Sequence, residues 1–200
     1  MKGQIYVISG PSGVGKSTII GALRERFPEI GYSVSHTSRA PRPNEKDGLD
    51  YHFIDSDRFR DMIDNDAFVE WATVYGDYYG TSRAGLKKQT DKGVDVILDV
   101  DSLGAANIRD NFQNSLLIYI LPPSLRDLEK RLELRATDKD ETIKKRIALA
   151  QKELKNCEWY DYIIINDVLE KTITNIEAII ISNRCSKNRM LPEIRKKFQI

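Results

Sequence analysis

Cysteine is scarce in this chain: among 200 residues there are only Cys157 and Cys185. They make no metal-ligand spacing, and neither sits beside a catalytic partner. A disulfide between them stays open, with a reduced pair the blander reading. Histidine is just as rare. His36 and His52 are not spaced as a metal site with any carboxylate pair, no Ser-His-Asp arrangement presents itself, and both read as structural. Net charge is nearly absent too, with 31 Lys+Arg against 30 Asp+Glu and a formal +1. That balance gives no reason to invoke nucleic acid or a membrane surface. No apolar run approaches bilayer-spanning length. The N-terminus has one lysine and a short apolar run, so it reads as no signal peptide, and the expected location is the cytoplasm. No internal repeat or low-complexity tract appears. What remains is an ordinary globular composition, 40% hydrophobic and 30% charged. It is long enough for one domain, or one core with an insertion.

The densest chemical signal is Gly10-Pro11-Ser12-Gly13-Val14-Gly15-Lys16-Ser17-Thr18. It has the G-x-x-x-x-G-K-S spacing of a phosphate-binding P-loop. The apolar, β-rich run Ile5-Tyr6-Val7-Ile8 precedes it as a buried strand would. Ile19, Ile20, Leu23 and Phe27 follow at helical spacing. Strand, glycine loop and helix together aim backbone N–H groups at an anion, with the helix dipole behind them. Lys16 is placed to reach the β- and γ-phosphates, and the Ser17 hydroxyl to ligate Mg²⁺. The chain is therefore expected to bind a nucleoside triphosphate.

The pattern changes near Pro28. From about Ser33 to Tyr79 the chain is polar, aromatic and turn-rich. Ser33–Thr37, Tyr51–Ile54 and Phe68–Tyr75 look like short strands, with a short helix at Phe59, Met62 and Ile63. Arg39–Gly48 holds two prolines and an Asp-Gly, which make it a loop. Apolar runs then return at Val94–Asp101, Leu116–Leu121 and Tyr162–Ile165, separated by helical patterns. Such runs predict a mainly parallel sheet covered on both faces. Ser124-Leu125-Arg126-Asp127 reads as a capped helix start, with stripes at Leu125, Leu128 and Leu132, then Ile143, Ile147, Ala150 and Leu154, then Leu169, Ile173, Ile176 and Ile180. The expected fold is α/β: a P-loop three-layer sandwich with a small mixed β/α insertion and a helical lid. The boundaries are 1–32 and 82–200 for the core, 33–81 for the insertion and about 126–150 for the lid. The tail from Ser182 is basic and weakly patterned.

Several polar groups stand where chemistry is plausible. Asp99 and Asp101 end an apolar strand, where open α/β sheets place their ligands and P-loop proteins keep an acid for Mg²⁺, directly or through water. Either acid would serve equally as a cap. Arg39 and Arg42 flank Pro41 and can clamp one phosphate, or be a solvated basic loop. Tyr51 and Tyr79 add hydroxyl donors. Arg131 and Arg135 share a helix face and Arg146 lies on the next helix. They are solvated arginines on a charged hairpin, or a flap that closes on a phosphoryl group and excludes water. Glu70, inside Phe68-Val69-Glu70-Trp71, is either buried and in need of a donor or turned to solvent.

Taken together, these residues resemble the guanylate kinase family, nucleoside monophosphate kinases that phosphorylate GMP. The segment Ser35-His36-Thr37-Ser38-Arg39-Ala40-Pro41-Arg42-Pro43-Asn44-Glu45-Lys46-Asp47-Gly48-Leu49-Asp50-Tyr51 looks like the family's GMP-binding signature. Further blocks follow in the expected order: Phe68–Trp71, Tyr78–Thr81, Leu98–Asp101, Arg131 with Arg135–Asp138 and Arg146, and Tyr160–Asp167.

The resemblance implies ATP-dependent, Mg²⁺-assisted phosphorylation of GMP, and of dGMP, within purine nucleotide metabolism. It makes Gly10, Pro11, Ser12, Gly13, Val14, Gly15, Lys16, Ser17 and Thr18 the ATP-binding loop, with Asn166 near the adenine. Arg39, Arg42, Tyr51 and Tyr79 would hold the GMP phosphate. Ser35, Glu70, Thr81 and Asp101 would read guanine. Lys16, Arg39, Arg131, Arg135 and Arg146 would carry catalysis, with Ser17 and, through water, Asp99 at the Mg²⁺. The partners implied are ATP and GMP, without nucleic acid or membrane, in a monomer or small homo-oligomer. Three positions depart from the family pattern: Leu103 where Gln is usual, and Asn44 and Ala136 where Gly is usual. They bear on contacts near the acceptor and on loop or lid stiffness, and remove no assigned catalytic residue. Two rivals remain: a guanylate-kinase-like interaction module, and a P-loop kinase of another small phosphorylated acceptor. Retention of Lys16, Ser17 and the arginines opposes the first. Glu70, Asp101 and Ser35 oppose the second.

Overall fold

The structure is a computed structural model describing residues 2–74, 76–112, 114–134 and 140–200. Its strands are β1 (Ile5–Ser9), β2 (Gly31–Tyr32), β3 (His36–Thr37), β4 (His52–Phe53), β5 (Phe68–Val74), β6 (Asp77–Ser82), β7 (Val96–Asp99), β8 (Ser115–Leu121) and β9 (Tyr162–Ile165). Its α-helices are α1 (Lys16–Arg26), α2 (Ser56–Asp64), α3 (Arg83–Thr90), α4 (Ser102–Asn111), α5 (Leu125–Leu134), α6 (Asp140–Glu153), α7 (Leu169–Arg184) and α8 (Lys187–Phe198). A 3₁₀ turn, Leu154–Trp159, links α6 to β9. Five strands form the mainly parallel central sheet in the order β2-β7-β1-β8-β9, and four form a second sheet in the order β4-β3-β6-β5. Among the described residues no helix is long and apolar enough to cross a membrane.

The chain divides into two compact units. One comprises residues 10–27 and 119–200, the other residues 2–9 and 28–118. In the second unit β1 is buried at all five positions, and it runs parallel to β7 in the register Ile5↔Val96 to Ile8↔Asp99. Runs buried on both faces explain why these strands read as continuous apolar stretches. The small sheet has its own core, in which Phe59 of α2 stacks on Phe68 at 4.4 Å and on Tyr78 at 5.2 Å. Asp55 opens α2 by accepting the Arg58 N–H at 2.7 Å, and Ser82 opens α3 by accepting that of Gly85. These side chains satisfy donors that a helix start leaves free.

In the first unit Leu128 and Leu132 of α5 pack with Ala150 of α6, and Ile147 joins them. The expected cap at Ser124 forms, its hydroxyl accepting the Asp127 N–H at 3.1 Å. Helix α4 fills the helical interval expected between the apolar runs at 94–101 and 116–121, whereas α3 and α8 stand where the sequence analysis places none. In α8 the cause is visible: Pro192 lies inside the helix, and basic residues crowd its last turn. The strand expected over 33–37 is regular only at His36–Thr37, and that expected over 94–101 only at Val96–Asp99.

Candidate active site

In the first unit, α1 starts at Lys16, and its cap residue is Gly15, at φ 104°. Only a residue without a Cβ adopts that backbone freely. No side chain caps the helix, so the N–H groups of its first turn keep their donor capacity for an anion. Gly10 meets a second constraint: a Cβ there would lie 2.3 Å from the Ile120 carbonyl oxygen. Lys16 folds back over the loop and its Nζ donates to the Gly10 carbonyl at 2.7 Å. Pro11 and Val14 are buried, whereas Ser12, Ser17 and Thr18 are exposed.

Beside the loop lies a cleft of about 310 Å³, lined in part by Gly13, Val14, Thr18, Arg131, Asn166 and Leu169. That is the lower end of the size range of small-molecule sites. Asn166 is 6% exposed and tied on both sides. Its Nδ2 donates to the Val14 carbonyl at 2.8 Å, and its Oδ1 accepts the Thr172 hydroxyl at 3.0 Å. Arg131 donates to the same Val14 carbonyl at 3.2 Å and to the Asn166 carbonyl at 2.8 Å. The carbonyl in the middle of the P-loop is thus held by two side chains from distant sequence. Thr172, 1% exposed on α7, is a member of this group that the sequence did not single out. Arg146 is half-buried on α6, and Arg135 and Ala136 lie outside the described residues.

The second unit gathers the other predicted residues. Glu70 on β5 stands opposite Thr81 on β6, and the register slips between Phe68 and Glu70. This bulge explains why Phe68, Val69 and Glu70 are all buried before Trp71 turns outward. Glu70 is therefore the inward carboxylate, 6% exposed, with Oε1 accepting the Thr81 hydroxyl at 2.6 Å. Burial pushes its carboxyl up to about 7. The Asp101 carboxylate adds to the rise, while the Thr81 bond opposes it. Asp101 does not end β7. It is the cap of α4, and its Oδ1 accepts the Gly104 N–H at 2.8 Å. The capping alternative for this acid is the one observed; its second carboxylate oxygen keeps its acceptor capacity. Asp99 is the acid that ends β7, and Ser35 is buried.

Arg39 and Arg42 behave differently from each other. Arg39 Nη2 donates to both Glu45 oxygens at 2.8 Å, its Nη1 to the Ala40 carbonyl at 2.7 Å, and its guanidinium stands 5.6 Å from the Tyr51 ring centre. Burial alone would lower its pKa, but Glu45 and Tyr79 outweigh that and raise it. Arg42 is exposed, and its N–H also donates to Glu45. Glu45 is thus the organiser of this loop. The sequence offered only its position in a proline-rich turn as a signal. Tyr51 and Tyr79 meet edge to face at 5.9 Å. Burial, then the charge of Asp99, pushes the Tyr51 hydroxyl up to about 12, so it stays a donor. The two histidine rings lie 4.7 Å apart and tilted by 37°, and burial first, then the His52 charge, lowers His36 to about 4, keeping it neutral.

The unit around residues 10–27 therefore offers a glycine loop with an uncapped helix start, and a cleft. The other unit offers guanidiniums, phenols and a pair of carboxylates. Comparison with known proteins agrees across the whole chain. The guanylate kinase family model matches residues 2–183. A guanylate kinase of Carboxydothermus hydrogenoformans is 45% identical over 189 residues, covering 94% of this chain and 93% of that protein. One from Geobacter sulfurreducens is 42% identical over 199 residues, covering 100% and 98%. The crystal structure of guanylate kinase from Anaplasma phagocytophilum superposes with a TM-score of 0.82 at 34% identity, covering 100% and 97%. With the family match, the identity and the fold in agreement from end to end, this chain belongs to the guanylate kinase family.

Proposed function

We infer that this chain transfers the γ-phosphoryl group of ATP to GMP, giving ADP and GDP. The observation that carries this reading is the inward carboxylate pair, Glu70 beside Asp101, in a chain that keeps a complete P-loop. Guanine presents a ring N–H and an exocyclic amine, two donors on one edge, and carboxylates are acceptor-only when ionised. Adenine offers a bare acceptor where guanine has its N–H. It would leave the carboxylates unpaired, and sites built on such bonds discriminate by roughly 10⁴ or more. Ser35 and Thr81 complete the base contacts in this reading. Arg39, Arg42, Tyr51 and Tyr79 hold the GMP phosphate, with Arg39 already fixed by Glu45.

The nucleophile is an oxygen of the GMP phosphate, already anionic, so the step needs no general base. It attacks the γ-phosphorus, and the bond to the ADP oxygen breaks. The protein's work is positioning and charge neutralisation. Lys16 and the P-loop N–H groups bind the triphosphate; Arg131, Arg146 and Arg135 spread the charge that develops; Asn166 borders the adenine. Bound Mg²⁺ would neutralise charge on the β- and γ-phosphate oxygens. The donor set fits that ion. Ser17 is an exposed hydroxyl at the start of α1, and among the described residues no cluster of three His, Cys, Asp or Glu forms a cage. Mg²⁺ is ordinarily held by one or two protein oxygens together with substrate phosphates and water. Asp99, acting through water, belongs to the same proposal. A chain acting on ATP and GMP belongs in the cytoplasm.

The test is a coupled ADP-release assay with Mg·ATP and GMP, dGMP, AMP, CMP or UMP, with Lys16→Ala as the inactive control. Turnover with GMP and dGMP alone is the expected result. Turnover with AMP at a similar rate would overturn the guanine reading and leave a kinase of another acceptor.

A further inference from the structure

Gly104 lies in the first turn of α4, where both acceptor-side carboxylates converge. Its N–H is bound by Asp101 Oδ1 at 2.8 Å. A Cβ built on it would stand 2.6 Å from Glu70 Oε2, 3.1 Å from Glu70 Cδ and 3.1 Å from Val100 Cβ. The Glu70 carboxylate occupies the volume that any other residue at 104 would fill. The backbone there is helical, with no positive φ, so alanine adopts it without strain. Conformation does not call for glycine at this position; space does, first for the Glu70 carboxylate at 2.6 Å and then for Val100 Cβ at 3.1 Å.

We propose that Gly104 is a specificity-determining position of the acceptor site: its missing side chain lets the Glu70 carboxylate sit beside Asp101 at the start of α4. This rests on the reading of Glu70 as a guanine acceptor. When a methyl group is added, the Glu70 carboxylate yields first. It ends a rotatable side chain and is held by one hydroxyl at 2.6 Å, whereas Val100 belongs to the buried core. The displaced carboxylate leaves Thr81 and the guanine edge together. The fold loses little, because alanine is the better helix former. The signature is a lost substrate contact in a protein at least as stable as the parent.

The experiment compares steady-state kinetics and thermal melting of the full chain as Gly104→Ala, Glu70→Gln, Glu70→Asp and the double variant Gly104→Ala/Glu70→Asp. Gly104→Ala is expected to raise the KM for GMP roughly tenfold or more, the scale of a lost bond to a charged group. The KM for ATP and the melting temperature hold or, for the latter, rise. Aspartate is one methylene shorter and stays clear of the new methyl group. Adding Glu70→Asp to Gly104→Ala should therefore cost much less than adding it to the parent, a coupling that a purely structural role would not produce. An unchanged KM for GMP in Gly104→Ala, when Glu70→Gln raises it, overturns the inference about Gly104 alone. An unchanged KM in Glu70→Gln overturns the guanine reading beneath it. A Gly104→Ala chain that unfolds, or that loses GMP and ATP equally, overturns the inference because the backbone rather than the carboxylate gave way.

Discussion

GMP binding should be linked to a proton on Glu70. In the free protein burial, followed by the Asp101 carboxylate, pushes this carboxyl from 4.5 up to about 7. Among the described residues the groups that bear on it are the Thr81 hydroxyl from β6, and from α4 the Asp101 carboxylate and Gly104, and none of these is a cation. In the proposed reading guanine needs the ionised form, whose oxygens act only as acceptors. With a pKa of about 7, about one molecule in eleven is ionised near pH 6 and about ten in eleven near pH 8. Apparent affinity scales with the competent fraction, so the Kd for GMP should fall roughly tenfold across that interval.

The GMP phosphate itself titrates near pH 6, so the comparison must be with Glu70→Gln, which keeps the ligand's titration and removes the protein's. Calorimetry in two buffers of different ionisation heat should show release of the Glu70 proton on GMP binding near pH 6, in the parent only. The same proton sets a stability trend. The folded pKa lies above the unfolded one, so the native state holds the extra proton between 4.5 and about 7. Its contribution to stability is complete below the lower value and lost as pH rises through the upper, a span of about 3 kcal/mol. Glu70→Gln should therefore gain stability over the parent near pH 8 and little near pH 4. Identical pH profiles of GMP affinity in the two proteins, or no gain on removing the charge at alkaline pH, would refute the reasoning.

Three further outcomes follow from single contacts. Lys16→Ala removes the ammonium that the P-loop carries next to its Gly10 carbonyl; kcat should fall roughly a hundredfold or more, with calorimetric GMP affinity nearly unchanged. Thr172→Val removes the hydroxyl that orients the Asn166 amide, so the KM for ATP should rise several-fold while that for GMP holds, and Thr172→Ser should restore it. Glu45→Gln weakens the paired bonds that fix Arg39; the KM for GMP should rise roughly tenfold, and that for ATP should hold.

Legibility followed the distance between partners in sequence. The P-loop was fully readable, since its glycines, lysine and helix start lie within nine residues and their spacing encodes the geometry. The buried strands were readable because continuous apolar runs need no partner to be identified. Strand β6 was not: Asp77–Ser82 is polar, contains a glycine, and becomes a strand only between β3 and β5. The inward aim of Glu70 was undecidable from alternation, because a bulge at Phe68–Glu70 breaks the period of two. The ties of Arg39 to Glu45, and of Thr172 through Asn166 to Val14, depend on a folded loop and on contacts across more than a hundred residues. Periodicity carries no trace of either.

The acceptor side of this protein is built against its own stability. Two carboxylates share the start of one short helix, and one of them is almost wholly buried. A core that maximised stability would place an apolar side chain at 70 and an alanine at 104. The first change would remove a desolvated acid, the second a flexible residue inside a helix. Neither gain is taken here, and the two sacrifices are coupled, because the acid fits only if the glycine is there. In the proposed reading a ligand that brings two donors to the pair offsets this cost. A base with an acceptor at that edge increases the repulsion instead. In the proposed reading selectivity comes from an arrangement that is unfavourable when empty, and the pH dependence of Glu70 and the tolerance of position 104 measure that one arrangement from its two ends.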